Sequence, residues 1–253
     1  MDIKILVAAH KPYWMPDDDV YLPIQVGAAG KESLGWQRDD EGDNISGKNP
    51  NYCELTALYW AWKNLDADYI GLCHYRRYFS QESQTGNREK RKSSILHRAD
   101  YETLLEKFDI ILPKKRNYYI ETVRSQYEHA HNKEDLIQTE QLIKKMYPEY
   151  SRAFECVMAR KTLYITNMFV MKKENFHAYC VWLFPLLESL EKRIPLSGRS
   201  AYEARVFGFL AERLFNVWLE MQTFRKYEAD VVFLEKQNWL KKGGNFLKRK
   251  FVQ

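Results

Sequence analysis

Residues 3–9, IKILVAA, are apolar apart from Lys4 and stop abruptly at His10 and Lys11. A strand solvated on one face alternates apolar and polar side chains. A run this continuous reads instead as a strand buried on both faces, the usual first strand of an α/β sheet. DYIGLCHY (68–75) and DIILP (109–113) have the same character, the second stopped by Pro113. Helical patterns fall between and after them. Leu55, Leu58, Tyr59 and Trp62 recur at threes and fours over 50–64, with Asn49 or Asn51 available as cap. A short helix is predicted over 100–107, helices through 120–160, and an amphipathic helix over 174–193. A long helix over 201–221 carries an apolar face of Val206, Phe207, Leu210, Leu214, Val217 and Trp218. TLYITNMFVMKK (162–173) and DVVFLE (230–235) are β-rich. Residues 27–51 read as a long loop and 80–99 as a polar surface excursion. The fold class is therefore α/β, a mixed sheet of five or six strands flanked by helices, with a helical C-terminal part. The strand order is not readable. Residues 1–225 are expected to form one domain, and 226–253 a C-terminal strand and basic tail.

Whole-chain numbers narrow the partners. The chain has 253 residues, ample for a real core, and is 45% hydrophobic and 29% charged, as soluble globular proteins are. A net charge of +5 suits an anionic small ligand or an anionic membrane surface, and is too weak to argue for nucleic acid, for which no motif is present. The 17 Tyr, 13 Phe and 7 Trp supply flat surfaces for nucleobases and sugar faces, although most aromatic rings simply fill cores. Cys53, Cys73, Cys156 and Cys180 show no CxxC spacing and lie in apolar or aromatic contexts, so reduced, buried thiols and a cytoplasmic location are expected. The N-terminus is too abruptly polar for a signal peptide. No apolar run approaches the ~18 to 20 residues of a membrane span, so any membrane contact should be peripheral.

Four places could carry chemistry. His10 and Lys11 follow the first strand, where open α/β sheets bind ligands. Asp43, Asn44, Ser46, Asn49 and Asn51 crowd the approach to a helix start, whose free N–H groups could hold a diphosphate; the same residues are the ordinary content of a capped surface loop. HYRRYF (74–79) ends a buried strand with His74, Arg76 and Arg77; guanidinium forks match phosphate oxygens, or one arginine is a structural ion pair and the other solvated. Arg205 and Glu212 are seven apart, on one face of their helix, where clamp and base or plain surface charge are the alternatives. Dinucleotide, P-loop, nucleophile-elbow and zinc fingerprints are missing. Two D-x-D spacings, in 17–19 and at Asp66 and Asp68, could hold Mn²⁺ or Mg²⁺. The first sits in a loop and the second precedes its strand, so both read as solvated.

The blocks DNISGKNPNYCELTALYWAWKN, DYIGLCHYRRYF, DIILPKKRNY, YITNMFVMKKENFHAYCVWLFPLL and RVFGFLAERLFNVWL, in this order, resemble the exopolysaccharide and capsular-polysaccharide biosynthesis family long catalogued as a domain of unknown function. The resemblance covers roughly residues 3–220, and HYRRYF and ELTALYW are its most specific parts. It implies a GT-A-like, Rossmann-type sheet and glycosyl transfer, including galactofuranosyl transfer. The expected donor is a nucleotide sugar, UDP-linked by family habit, carrying galactose or galactofuranose. The expected acceptor is an undecaprenyl-diphosphate-linked glycan of capsule, exopolysaccharide or O-antigen, and the expected outcome is inversion. GT-A members carry D-x-D on the strand that here ends in Cys73, His74, Tyr75 and Arg76, so no metal cofactor is expected, with Mn²⁺ or Mg²⁺ the alternative. Under this resemblance Glu212 or Asp43 is the base, and Arg76, Arg77 and Arg205 neutralise the departing diphosphate. His10, Lys11, Asn44, Ser46, Asn49, Tyr52, Glu54, His74 and Asn167 are donor or acceptor contacts. The tail KKGGNFLKRKF (241–251) suits the inner face of the plasma membrane, or is a frayed basic terminus. A sugar-phosphate or other phosphoryl-group transferase, and a noncatalytic polysaccharide-assembly protein, are the rival readings.

Overall fold

A computed structural model describes residues 1–82 and 86–235. In chain order the strands are β1 (Ile3–Ala9), β2 (Tyr21–Gln25), β3 (Gln37–Arg38), β4 (Tyr69–His74), β5 (Arg77–Ser80), β6 (Ile110–Pro113), β7 (Arg116–Asn117), β8 (Thr162–Leu163), β9 (Phe169–Lys172) and β10 (Lys226–Phe233). The helices are α1 (Asn49–Tyr52), α2 (Leu55–Asn64), α3 (Arg88–Ser93), α4 (Arg98–Lys107), α5 (Val123–Ala130), α6 (Lys133–Met146), α7 (Ser151–Ala159), α8 (Lys173–Glu191) and α9 (Val206–Glu220).

The apolar runs become strands because each feeds two cores. On β1, Leu6 and Ala8 join the core under α2 and α5 to α9, while Ile3, Ile5 and Val7 face the smaller core under α4. β4, β6 and β9 divide their side chains in the same way. The result is the expected α/β class, a mixed sheet between layers of unequal thickness. The strands β3, β2, β1 and β4 run parallel side by side. Antiparallel β9 then pairs with both β4 and β6, parallel β10 follows β6, and antiparallel β5 follows β10. β5 returns to β4 through one pair, His74 opposite Arg77, so five strands close into a ring. Gly71 is where β9 crosses β4: a Cβ there would lie 2.8 Å from Val170 Cγ2 and 2.9 Å from the Phe169 carbonyl.

Several expectations need correction. The main sheet has eight strands, and β7 pairs with β8 separately. The 50–64 helix is two helices, broken at Cys53, whose φ is +54°. The β-rich stretch 162–173 is interrupted by a loop bearing Thr166 and Asn167, both at positive φ. The 80–99 excursion contains α3, capped by Asn87. Cys73 and Cys180 are buried as expected, but Cys53 is half-buried and Cys156 exposed, because the latter lies on the outer face of α7. The tail 241–251 lies outside the described residues. Among the described residues, no helix is long and apolar enough to cross a membrane.

Candidate active site

The carboxyl ends of β1 and β4, the start of β5 and the loop before β9 meet at one rim of the sheet. Here α1, Cys53 and the N-terminal half of α9 wall a cavity of about 740 Å³. That volume is within the ~300 to 1,000 Å³ of small-molecule sites. Its lining includes His10, Asn49, Glu54, His74, Arg76, Arg77, Arg205 and Glu212, which were all singled out in the sequence.

The two adjacent arginines do different things. Tyr75 and Arg76 form the tight turn between β4 and β5, which puts Arg76 at the rim. There its Nη1 donates to Glu235 Oε2 at 2.8 Å, and its guanidinium lies 4.8 Å from the centre of the Tyr75 ring. Arg77 is already in β5. Burial lowers its pKa from the usual value, with Glu54 and Glu212 acting the other way. An arginine stays charged regardless, and among the described residues no carboxylate lies within ion-pair distance of it. Arg205, at the N-terminal end of α9, is more exposed than Arg77 but lines the same cavity. Its Nε donates to Cys53 Sγ at 3.1 Å and its guanidinium is 5.5 Å from the Phe209 ring centre, with no carboxylate within ion-pair distance among the described residues.

The two carboxylates also differ. Glu212 accepts the Thr166 N–H on Oε1 at 2.8 Å and Arg213 Nη1 on Oε2 at 2.9 Å, so both its oxygens are engaged. Burial raises its pKa, against the opposing pull of Arg213. Glu54 accepts Asn167 Nδ2 on Oε1 at 2.8 Å, and its Oε2 has no hydrogen-bond partner among the described residues. Arg213 offsets Glu212 and Glu235 offsets Arg76. This leaves Arg77 and Arg205 facing Glu54 alone, a net positive cavity suited to an anion.

Both cavity histidines are pushed toward their neutral forms. Nε2 of His74 lies 2.7 Å from the Thr166 carbonyl, which requires the proton on Nε2. Burial, then Arg77 and Arg205, hold its pKa below the ordinary 6.5, with Glu54 opposing. His10 is also lowered, by burial and by Lys11, Arg76, Lys31 and Arg205. The loop bearing Thr166 is pinned by α9. Asn216 accepts the Tyr164 N–H at 3.0 Å and donates to the Tyr164 carbonyl at 2.8 Å, one turn beyond Glu212. Cys53, Thr166 and Asn167 all hold positive φ beside the cavity. Such strain persists where surrounding structure over-determines it.

The other sequence candidates lie elsewhere. Asp43 is on the far side of α2, where Tyr59 Oη and the Asn64 side chain meet it, so it is not placed to act as base in this cavity. Asn44 and Ser46 build the loop: Asn44 donates to the Asp40 and Gly42 carbonyls, and Ser46 Oγ donates to buried Asp39. Tyr52 is core, its ring against Phe207 and its hydroxyl on Glu191. Lys11 is exposed at the rim, 5.9 Å from the Tyr75 ring centre. Asn167 stands behind Glu54 and is 3% exposed, so it orients Glu54 and does not line the cavity. Asn49 lines it while donating to the Cys53 carbonyl and Thr56. Cys53, Tyr75, Thr166 and Phe209 line the cavity and were not foreseen. Gly208 inside an apolar helix was the one available signal, since such a glycine marks close approach; a Cβ there would lie 3.1 Å from Cys53 Sγ.

Neither D-x-D spacing reaches the cavity. Asp18 accepts the Val20 and Arg98 N–H groups, Asp19 pairs with Arg98, Asp66 pairs with Lys173, and Asp68 accepts the Asp2 N–H. Among the described residues no group of three or more His, Cys, Asp or Glu is arranged to hold a metal ion.

Residues 4–223 match the family described as Domain of unknown function (DUF4422). No curated protein matches the chain. Among solved structures, the apo form of WbbM, a bifunctional glycosyltransferase, superposes with a TM-score of 0.85 at 34% sequence identity, over 93% of this chain and 46% of that one. The chain thus spans about half the length of the solved relative.

Proposed function

The chain belongs to the DUF4422 family, and from that premise we propose that it is a glycosyltransferase acting on a nucleotide-diphosphate sugar. One observation carries the proposal: Arg77 and Arg205, with no carboxylate within ion-pair distance among the described residues, share a cavity at the carboxyl rim of the sheet with Glu54, whose Oε2 has no hydrogen-bond partner among those residues. The likeness to WbbM supports it.

Transfer needs charge to be stabilised on the departing diphosphate and a proton to leave the acceptor hydroxyl. Arg77 and Arg205, with Arg76 at the rim, supply the first through preorganised guanidinium donors in a cavity partly shielded from water. Glu54 Oε2 receives the proton as the acceptor oxygen attacks the anomeric carbon and the bond from that carbon to the diphosphate breaks. Glu212, with both oxygens taken, holds the Thr166 loop and, through it, His74. The Tyr75 and Phe209 rings give flat surfaces for a base or a sugar face. Galactose or galactofuranose from a UDP donor, an undecaprenyl-diphosphate-linked acceptor, inversion, and a cytoplasmic site at the inner membrane face complete the reading.

The test is a panel of nucleotide sugars in thermal unfolding, with and without EDTA, followed by assay of free nucleotide diphosphate and of sugar incorporated into a lipid-linked acceptor. A ligand at a hundred times its dissociation constant should add about 2.7 kcal/mol of stability. No stabilisation by any member of the panel overturns the reading. Stabilisation without diphosphate release favours the noncatalytic rival, and transfer of a sugar phosphate favours the phosphoryl-group transferase. A response abolished by EDTA overturns metal independence.

A further inference from the structure

Away from the cavity lining, the connection between β7 and α5 presents Tyr119 and Ile120 to solvent, 75% and 52% exposed, the two most exposed large apolar side chains among the described residues. Their exposure is built in. The Tyr119 N–H donates to Asn117 Oδ1 at 2.7 Å, the Ile120 N–H donates to the Tyr118 carbonyl at 2.7 Å, and Tyr119 is held at φ +58°. Tyr118 anchors the turn, its ring 8% exposed and its N–H on the Lys161 carbonyl at 2.8 Å. A tyrosine fixed in the left-handed region so that two apolar side chains stand in water costs stability with no packing return in the free protein.

The charge around the turn has one sign to spare. Lys115, Arg116 and Lys161 are exposed, and none has a carboxylate within ion-pair distance among the described residues. Of the neighbouring acids, Asp230 is paired with Lys114 and Glu220 with Arg160, while Glu228 accepts the neutral Tyr164 hydroxyl and Glu121, 4% exposed, contacts His129, so the three cations still outnumber the acids left without a cation. An aromatic and an aliphatic residue at the tip of a rigid turn, ringed by unpaired cations, match the two layers of an anionic bilayer surface. The apolar side chains suit the headgroup and acyl boundary, and the cations suit the lipid phosphates.

We infer that Tyr119 and Ile120 are a membrane anchor, inserted into an anionic leaflet while Lys115, Arg116 and Lys161 meet its phosphates. A glycan-stacking surface would need aromatic faces but not Ile120 or three unpaired cations. The inference stands on the turn alone and its test reads vesicle binding, so it can fail while the transferase reading survives, and the reverse.

The experiment is co-sedimentation of the full chain with phosphatidylcholine vesicles and with vesicles containing about one third phosphatidylglycerol. Each cation near the surface is worth about a fivefold change in partitioning. The expected result is binding that requires the anionic lipid, reduced at least about tenfold by Tyr119→Ser with Ile120→Ser and by Arg116→Glu with Lys161→Glu, at an unchanged melting temperature. All variants keep residues 241–251, so binding through that tail alone would leave them equal to the parent chain. Equal binding, binding indifferent to phosphatidylglycerol, or no binding by the parent chain each overturns the anchor.

Discussion

Arg76 and Arg77 are chemically identical and adjacent, yet their partners give them different weights. The ion pair from Arg76 to Glu235 is more than a third exposed on both sides and contributes little. Arg77 is half-buried at the cavity wall, with no counter-carboxylate within ion-pair distance among the described residues. Arg77→Lys keeps the charge but loses the fork, so kcat/KM should fall about 10²- to 10³-fold, the usual effect of losing one preorganised donor. Arg76→Lys should cost much less. Similarly, Glu54→Gln should lower kcat by about 10²- to 10⁴-fold while leaving nucleotide affinity in thermal shift intact. Glu212→Gln should instead lower the melting temperature, because its single amide oxygen cannot serve both the Thr166 N–H and the buried Arg213 donor. Loss of turnover with Glu212→Gln but not Glu54→Gln would reverse the assignment. The residue types at the rim were legible because His10, His74, Arg77, Arg205 and Glu212 sit at strand ends or on one helical face. Partners remote in sequence, such as Glu235 for Arg76 and Asn167 for Glu54, were not legible, and those partners decide the roles.

The element that sequence periodicity misread is also the one that shapes the site. Apolar spacing over 50–64 fits a single helix, and neither Gly nor Pro marks a break at Cys53. The break is imposed from outside: α9 approaches so closely at Gly208 that the Cys53 side chain crowds the space a side chain there would need. The chain turns there through φ +54°, and Glu54 is delivered to the cavity at the head of α2. Gly208→Ala would ordinarily gain up to about 1 kcal/mol of helix propensity. Here the added methyl meets Cys53 Sγ at 3.1 Å and Cβ at 3.3 Å, and overpacking typically costs about 1–3 kcal/mol. The melting temperature should therefore fall. In a Cys53→Gly background, which removes both contacting atoms and suits positive φ, Gly208→Ala should be neutral or stabilising. Equal effects in both backgrounds would mean that α9 does not impose the break.

At the scale of the whole molecule, the three-layer arrangement was visible because runs such as IKILVAA can be buried only between two cores. The ring closed by β4, β9, β6, β10 and β5 was not, since pairing partners up to 156 residues apart leave no local trace. That closure fixes the histidines of the rim in place and ties global stability to their protonation. His10 and His74 both have folded pKa values below 6.5. Between that value and the folded pKa the unfolded chain binds more protons, so stability is complete above about pH 6.5 and is lost as pH falls. The slope is at most about 1.4 kcal/mol per pH unit for His74, and smaller for His10, which is exposed and screened by solvent. Glu212 acts oppositely: its raised pKa makes the folded state bind more protons above the ordinary carboxylate value, so its contribution declines as pH rises from there. Subtraction separates the two. Urea midpoints measured from about pH 5 to pH 8 for the parent chain and for His74→Gln, which keeps a donor for the Thr166 carbonyl, should converge at the acid end and diverge in the parent's favour toward neutrality. Parallel curves would mean that His74 titrates the same way folded and unfolded, and that the rim does not exclude its charged form.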